Sequence, residues 1–207
     1  LSCFSLSSLR AEQFGDFTYT VSGAGNSAFI TVTRYSSNKE GAVVVPESIA
    51  GKPVIAIGDN AFSFGKLTSL TLPSSITSIE DYAFLYCTGL TSVTLSDSLA
   101  SIGDAAFYGC SGLTSLTLSD SLVSIGDAAF SGCSGLTSMT LSNSLALIGA
   151  GAFSGCRGLT SLALPECITS IGQSAFFGCR NLTNKVKLPS RISSVGVSAF
   201  ASCSSLQ

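Results

Sequence analysis

Apolar residues recur along most of this chain at a nearly constant interval. Ala-Phe pairs place phenylalanine at Phe62, Phe84, Phe107, Phe130, Phe153, Phe176 and Phe200, with spacings of 22, 23, 23, 23, 23 and 24 residues. Cysteine follows three residues later in all but the first copy, at Cys87, Cys110, Cys133, Cys156, Cys179 and Cys203. One unit runs Leu113-Thr-Ser-Leu116-Thr-Leu118, a turn, Leu122, Ile125-Gly126-Asp127, Ala129-Phe130 and Cys133. Leu116 and Leu118 alternate with Ser115 and Thr117, the period-two pattern of a half-buried strand. A unit this short cannot bury its own apolar stripe, so the repetition predicts a solenoid of stacked units. Its strands would form one parallel sheet at about 4.7–4.9 Å per step, and seven units would extend roughly 35 Å. Asp127 ahead of Ala-Ala-Phe predicts the N-cap of a short helical turn, with Phe130 and Cys133 on its inner face. Gly132 and Gly135 are the expected positive-φ positions for the return to the next strand.

The N-terminal part breaks the period. Phe17-Thr-Tyr19-Thr-Val21 and Phe29-Ile-Thr-Val32-Thr flank Gly23-Ala-Gly25-Asn26, a β-hairpin pattern. Such a hairpin would cover the first turn of a solenoid, which otherwise exposes apolar surface. The expected organisation is a leader or linker remnant over 1–15, a β-hairpin cap over 16–42, and a solenoid of about seven repeats over 43–207. Within it, Ile49-Ala-Gly-Lys-Pro53 reads as an insertion in an atypical first repeat. The sequence stops at Leu206-Gln207 with no C-terminal cap evident, so self-association through that end is one expectation.

Composition narrows the function. With 45% apolar and 11% charged residues, the chain is not of the disordered class. A net charge of −2 offers no basic surplus for nucleic acid. No run approaches 18 apolar residues, so no membrane span is expected. Histidine is absent, which removes the usual imidazole base, the usual zinc ligand and the Ser-His and Cys-His pairs. Six cysteines in phase with phenylalanine read as a buried thiol ladder, because Cys behaves as a small hydrophobe. Parallel stacked side chains fit disulfide geometry poorly, and no Cys-x-x-Cys pair points to zinc. Cys3 lies outside the array.

Acidic residues also form columns. Asp97 and Asp120 share a turn position continued by Asn143, and Asp104 and Asp127 share another. Solvated turns and helix caps account for them, in preference to calcium or a glycosidase pair, which needs a cleft. No metal, cofactor or catalytic residue is expected. Charge is uneven along the axis. Residues 67–156 hold six acids and no Lys or Arg, whereas Arg157, Arg180, Lys185, Lys187 and Arg191 follow with Glu166 alone against them.

The most regular polar feature is a pair of hydroxyl columns on the predicted strands. Ser69, Ser92, Ser115 and Ser138 form one, continued by Ser161; Thr71, Thr94, Thr117 and Thr140 form the other, ending at Ala163. They offer uncharged donors and acceptors suited to a glycan or an extended peptide. The same pattern also arises wherever exposed strand positions are simply polar.

The strand motif Leu113-x-x-Leu116-x-Leu118-x-x-Ser121 resembles the leucine-rich repeat consensus, with Ser121 at the ladder position and Cys167 in the same place in its unit. Extended through Ser-Ile-Gly-Asp-x-Ala-Phe-x-Gly-Cys, it resembles the BspA-like leucine-rich repeat family over about residues 43–205. In the last full unit Asn184-Lys185 adds a residue and Arg191 replaces the ladder serine. The resemblance implies a surface or secreted protein that adheres to host proteins or other cells, and it brings no catalytic signature. The expected function is therefore a non-catalytic extracellular or cell-surface binding module. It would recognise a protein or glycan, such as host matrix or another cell surface, through the Ser/Thr strand face. The alternative is a structural module stacking end to end.

Overall fold

Each repeat makes one turn of a coil; the earlier turns carry two short strands on different sides, and the turns after Ile148 carry one. The computed structural model describes residues 11–36 and 39–206. The chain opens with β1 (Glu12–Phe14), β2 (Phe17–Ser22) and β3 (Phe29–Tyr35), an antiparallel meander. Residues 1–10 of the expected leader lie outside the described residues, together with Cys3, while Glu12–Phe14 belong to the meander. β4 (Gly41–Val44) follows, then β5 (Ser48–Ile49), which turns back antiparallel onto β6 (Lys52–Ile57). The apparent insertion is this hairpin: Ala50 and Gly51 at its tip both have positive φ, 50° and 72°, as a type I′ turn requires.

Two kinds of strand then alternate. Those of the leucine motif are β7 (Leu67–Thr71), β9 (Ser92–Thr94), β11 (Ser115–Thr117) and β13 (Ser138–Thr140). Those of the Ser-Ile motif are β8 (Ser78–Ile79), β10 (Ser101–Ile102), β12 (Ser124–Ile125), β14 (Leu147–Ile148), β15 (Ser170–Ile171) and β16 (Ser194–Val195). The longest sheet is built by the second set and not by the leucine strands. It runs β1-β2-β3-β6-β8-β10-β12-β14-β15-β16, with serine paired to serine and isoleucine to isoleucine through most of it. The leucine strands form two smaller parallel sheets, β4-β7-β9 and β11-β13. Because β3 pairs in parallel with β6, the meander continues the long sheet and covers its first edge.

The core is a set of columns. The rings of Phe62, Phe84, Phe107, Phe130, Phe153, Phe176 and Phe200 stack at centroid separations of 4.9–5.3 Å, within the favourable range for offset aromatic pairs. Tyr35 extends the stack, 5.1 Å from Phe62, and Phe17 lies 5.3 Å from Tyr35. The meander therefore caps the aromatic column with rings of its own.

The expected helical turns are absent from the described repeats. Two residues of each turn hold left-handed backbone: Ala105 (φ 50°) and Gly109 (φ 72°) in one, Ala128 (53°) and Gly132 (75°) in the next. An α-helix cannot continue through such residues. The N–H groups alternate instead between their own turn and the following one. Ser131 donates back to Ala128 at 2.9 Å, while Ala128, Phe130 and Gly132 donate to Ala150, Ala152 and Ser154 at 2.7 Å each. Asp127 accordingly caps no helix. Its Oδ1 accepts the Ala150 N–H at 2.7 Å, as Asp81 accepts from Asp104 and Asp104 from Asp127. Gly135 also departs from expectation. It has no positive φ, and a Cβ there would lie 2.5 Å from the Ser111 carbonyl oxygen, so close approach between turns excludes a side chain.

Phe130 is fully buried between two rings. Phe130→Ala should lower unfolding stability by about 3–5 kcal/mol in chemical denaturation; an unchanged midpoint would contradict a load carried by the aromatic column.

Candidate binding surface

The hydroxyl columns lie where the leucine strands pair in parallel. Ser69 is opposite Ser92 and Thr71 opposite Thr94 in β7 and β9; Ser115 is opposite Ser138 and Thr117 opposite Thr140 in β11 and β13. Leu116 between Ser115 and Thr117 is buried, as are Leu70 and Leu118, so alternation along the strand sends the hydroxyls outward. Ser69 is half-buried and the other seven are exposed. Although β9 and β11 belong to different sheets, the Thr114 N–H donates to the Thr91 carbonyl at 3.3 Å and carries the columns across the break. Ala42 and Val44 of β4 continue the face without hydroxyls, Val44 being 66% exposed.

A third hydroxyl column, one residue before the serines, behaves differently. The Oγ1 atoms of Thr91, Thr114, Thr137, Thr160 and Thr183 donate to Thr68, Thr91, Thr114, Thr137 and Thr160 carbonyls at 2.9–3.3 Å. Those hydroxyls hold one turn to the next. Among the described residues, Ser69, Thr71, Ser92, Thr94, Ser115, Thr117, Ser138 and Thr140 make no side-chain hydrogen bond within the chain. Sequence position alone does not separate these two roles.

The threonine column borders a groove of about 600 Å³ that Asp97, Asp120 and Asn143 close on the other side. Asp120 Oδ1 accepts the Asn143 N–H at 3.3 Å. In the sequence the hydroxyl and acidic columns read as separate features. Their common three-residue offset, Thr94 to Asp97 and Thr117 to Asp120, was the available signal. Together they offer an elongated strip of uncharged donors and acceptors beside carboxylates. Beyond the strip, the Asn184 side chain replaces a strand partner: its Oδ1 accepts the Leu162 N–H at 3.0 Å and its Nδ2 donates to the Leu162 carbonyl at 2.8 Å.

The remaining candidate residues serve the fold. The serine ladder is two residues from its expected place: Ser119 and Ser142 donate to the Leu99 and Leu122 carbonyls at 2.9 and 3.0 Å, while Ser121 is exposed. Where Pro165 removes the donor, the Cys167 thiol supplies it, 3.0 Å from the Leu145 carbonyl. The six phased cysteines each donate to the phenylalanine carbonyl one turn back, from Cys87 Sγ to Phe62 at 3.0 Å through Cys203 to Phe176 at 3.1 Å. They are free thiols. Burial pushes Cys133 and Cys179 up to about 12 and Cys156 well above the ordinary thiol value. Thiols so held stay protonated at neutral pH and are poor nucleophiles and metal ligands. A second groove of about 700 Å³ follows the Ser-Ile sheet past Asp59, Glu80, Asp81 and Asp104. Burial, reinforced by Asp59, raises the Glu80 carboxyl above its usual value. No group of three or more Cys, Asp or Glu is placed to hold a metal ion among the described residues.

The repeat pattern itself decides kinship. A sequence profile described as the BspA type leucine rich repeat region matches six copies across residues 55–183 and 146–207. The chain belongs to this family. A leucine rich repeat protein of T. pallidum has a crystal structure similar to it at TM-score 0.88, with 36% identity over 96% of this chain and 91% of that one. A leucine rich cell surface protein of Faecalibacterium prausnitzii A2-165 shares the fold at TM-score 0.53, with 23% identity over 97% of this chain and 82% of that one. The pneumococcal vaccine antigen PcpA does so at TM-score 0.67, with 23% identity over 88% of this chain and 51% of that one. No curated protein sequence matches the chain.

The raised thiols give a pH dependence of definite sign. In the unfolded chain they ionise near pH 8.5, whereas folded Cys133 holds its proton to about 12. Stability from each such thiol is therefore fully present below pH 8.5 and is lost as pH rises toward 12. Between pH 7.5 and 10 the loss should be about 2 kcal/mol for Cys133, and Cys133→Ala should reduce the slope of a denaturation series. A slope unchanged by that substitution would contradict the burial argument.

Proposed function

We propose that this protein is a non-catalytic binding or adhesion module acting outside the cell or on its surface. It recognises an extended protein segment or a glycan along the Ser/Thr strip. The observation that carries the reading is the division among the hydroxyls: one threonine column is bonded to the chain, and the eight hydroxyls beside it are left to solvent. Uncharged hydroxyls repeated at strand spacing match a ligand that is itself extended and rich in hydrogen-bonding groups. Membership in the BspA-type family supports the adhesive role, and the description of the F. prausnitzii structure as a cell surface protein supports the location. The non-catalytic reading rests on the chemistry present. Burial keeps the Cys133, Cys156 and Cys179 thiols protonated, and the Asp81, Asp104 and Asp127 carboxylates are engaged by backbone N–H groups.

Thr94→Lys combined with Thr117→Lys should reduce binding to an immobilised panel of mucin and extracellular-matrix proteins at least tenfold, with little change in melting temperature. Both side chains are exposed and hold no structural bond. Binding by the parent should persist at high salt, because neutral hydroxyls are not screened. Equal binding by parent and double variant would exclude the strip as the recognition face.

A further inference from the structure

The first two turns carry aromatic side chains where four later turns carry glycine. The left-handed position two residues after the stacked phenylalanine is occupied by Gly109, Gly132, Gly155 and Gly178, but by Phe64 (φ 57°) and Tyr86 (φ 54°) at the start of the solenoid. A bulky residue in this conformation is a strained outlier. Burial does not repay the strain, since Phe64 is 64% and Tyr86 44% exposed. The two rings lie nearly parallel, 5.6 Å apart, and Tyr108 meets Tyr86 edge-on at 5.4 Å. Gly109 makes the arrangement possible: a Cβ there would come within 2.5 Å of the Tyr86 ring. These rings form one wall of an open groove of about 800 Å³ whose other side holds Glu40, Lys66, Thr68 and Thr88. Glu40 and Lys66 face each other at 3.4 Å.

We propose that this groove is a carbohydrate-binding site, separate from the Ser/Thr strip, with Phe64, backed by the stacked Tyr86 ring, as the platform for a neutral pyranose unit. The C–H face of a sugar ring packs on an aromatic face. Its hydroxyls then need both donors and acceptors at the edge, and a carboxylate, an ammonium group and two threonine hydroxyls provide both. A purely apolar partner would desolvate the Glu40–Lys66 pair and leave the remaining hydrogen-bonding positions of both groups unmet, an unfavourable arrangement. An anionic or cationic ligand would meet a paired, neutral rim. Small apolar walls with a few convergent polar groups are the usual make-up of a small-ligand site.

The position supplies its own control. Phe64→Gly with Tyr86→Gly installs the residue that four other turns already use, so the double variant should fold with a melting temperature equal to or above the parent's. The experiment is an NMR titration of the whole chain with three neutral tetrasaccharides, of β-1,4-linked glucose, β-1,4-linked N-acetylglucosamine and α-1,4-linked glucose. At least one should shift the Thr68 and Thr88 amide resonances at roughly millimolar concentration. The double glycine variant should weaken that binding at least tenfold, and Thr94→Lys with Thr117→Lys should leave it unchanged, which separates this site from the strip. Absence of those shifts with all three sugars, or equal affinity in the glycine variant, would overturn the proposal.

Discussion

Everything in this molecule depends on successive turns lying at hydrogen-bonding distance along the inner phenylalanine turn. Phe84, Phe107, Phe130 and Phe153 each donate their backbone N–H to the following turn at 2.7 Å, and their rings stack at a matching separation. Backbone groups that a helix would pair internally are paired here between turns. Buried peptide groups must find a partner, and along the phenylalanine turn every second N–H finds it in the neighbouring unit. The columns follow from that closeness. At Gly126 a Cβ would lie 2.6 Å from the Gly103 carbonyl carbon, so no side chain fits. At the cysteine position the side chain must be small and apolar and still donate to a carbonyl, which a thiol does.

The period, the columns and the family resemblance were legible in the sequence because each is written in residue type. The conformation of the turn was not. Left-handed backbone is carried there by Ala105, Ala128 and Ser174, residues that give no signal for it, whereas the glycines that would announce it, Gly109, Gly132 and Gly178, stand four positions later. Asp127 ahead of two alanines reads alike whether it caps a helix or the next turn's N–H. The serine ladder was displaced by two residues because both Ser119 and Ser121 are present, and burial alone distinguishes them. Meander and solenoid were legible as different patterns, but their continuity through the β3–β6 pair needed the register.

The candidate face shows the same limit. Thr114 and Thr117 look equivalent in the repeat, yet one hydroxyl bonds the preceding turn and the other does not. Stacking thus sorts the polar residues. Those aimed along the axis hold the coil together, as the Thr91–Thr183 column, the aspartate column and the ladder serines do. Those aimed away from it are free to evolve with a ligand. A surface built this way is long and chemically uniform, and changes along it alter recognition without touching the core. The first two turns depart from the uniform pattern at Phe64 and Tyr86, and the last full unit departs at Asn184.

Native-state hydrogen exchange tests the inter-turn bonding most directly. If these bonds carry the fold, the amides of Phe84, Phe107, Phe130 and Phe153 should exchange only through a large cooperative opening, with a common free energy that falls steeply and equally with denaturant. Fast, denaturant-independent exchange at those four amides, comparable to that of exposed turn residues such as Ser111 and Ser134, would contradict it.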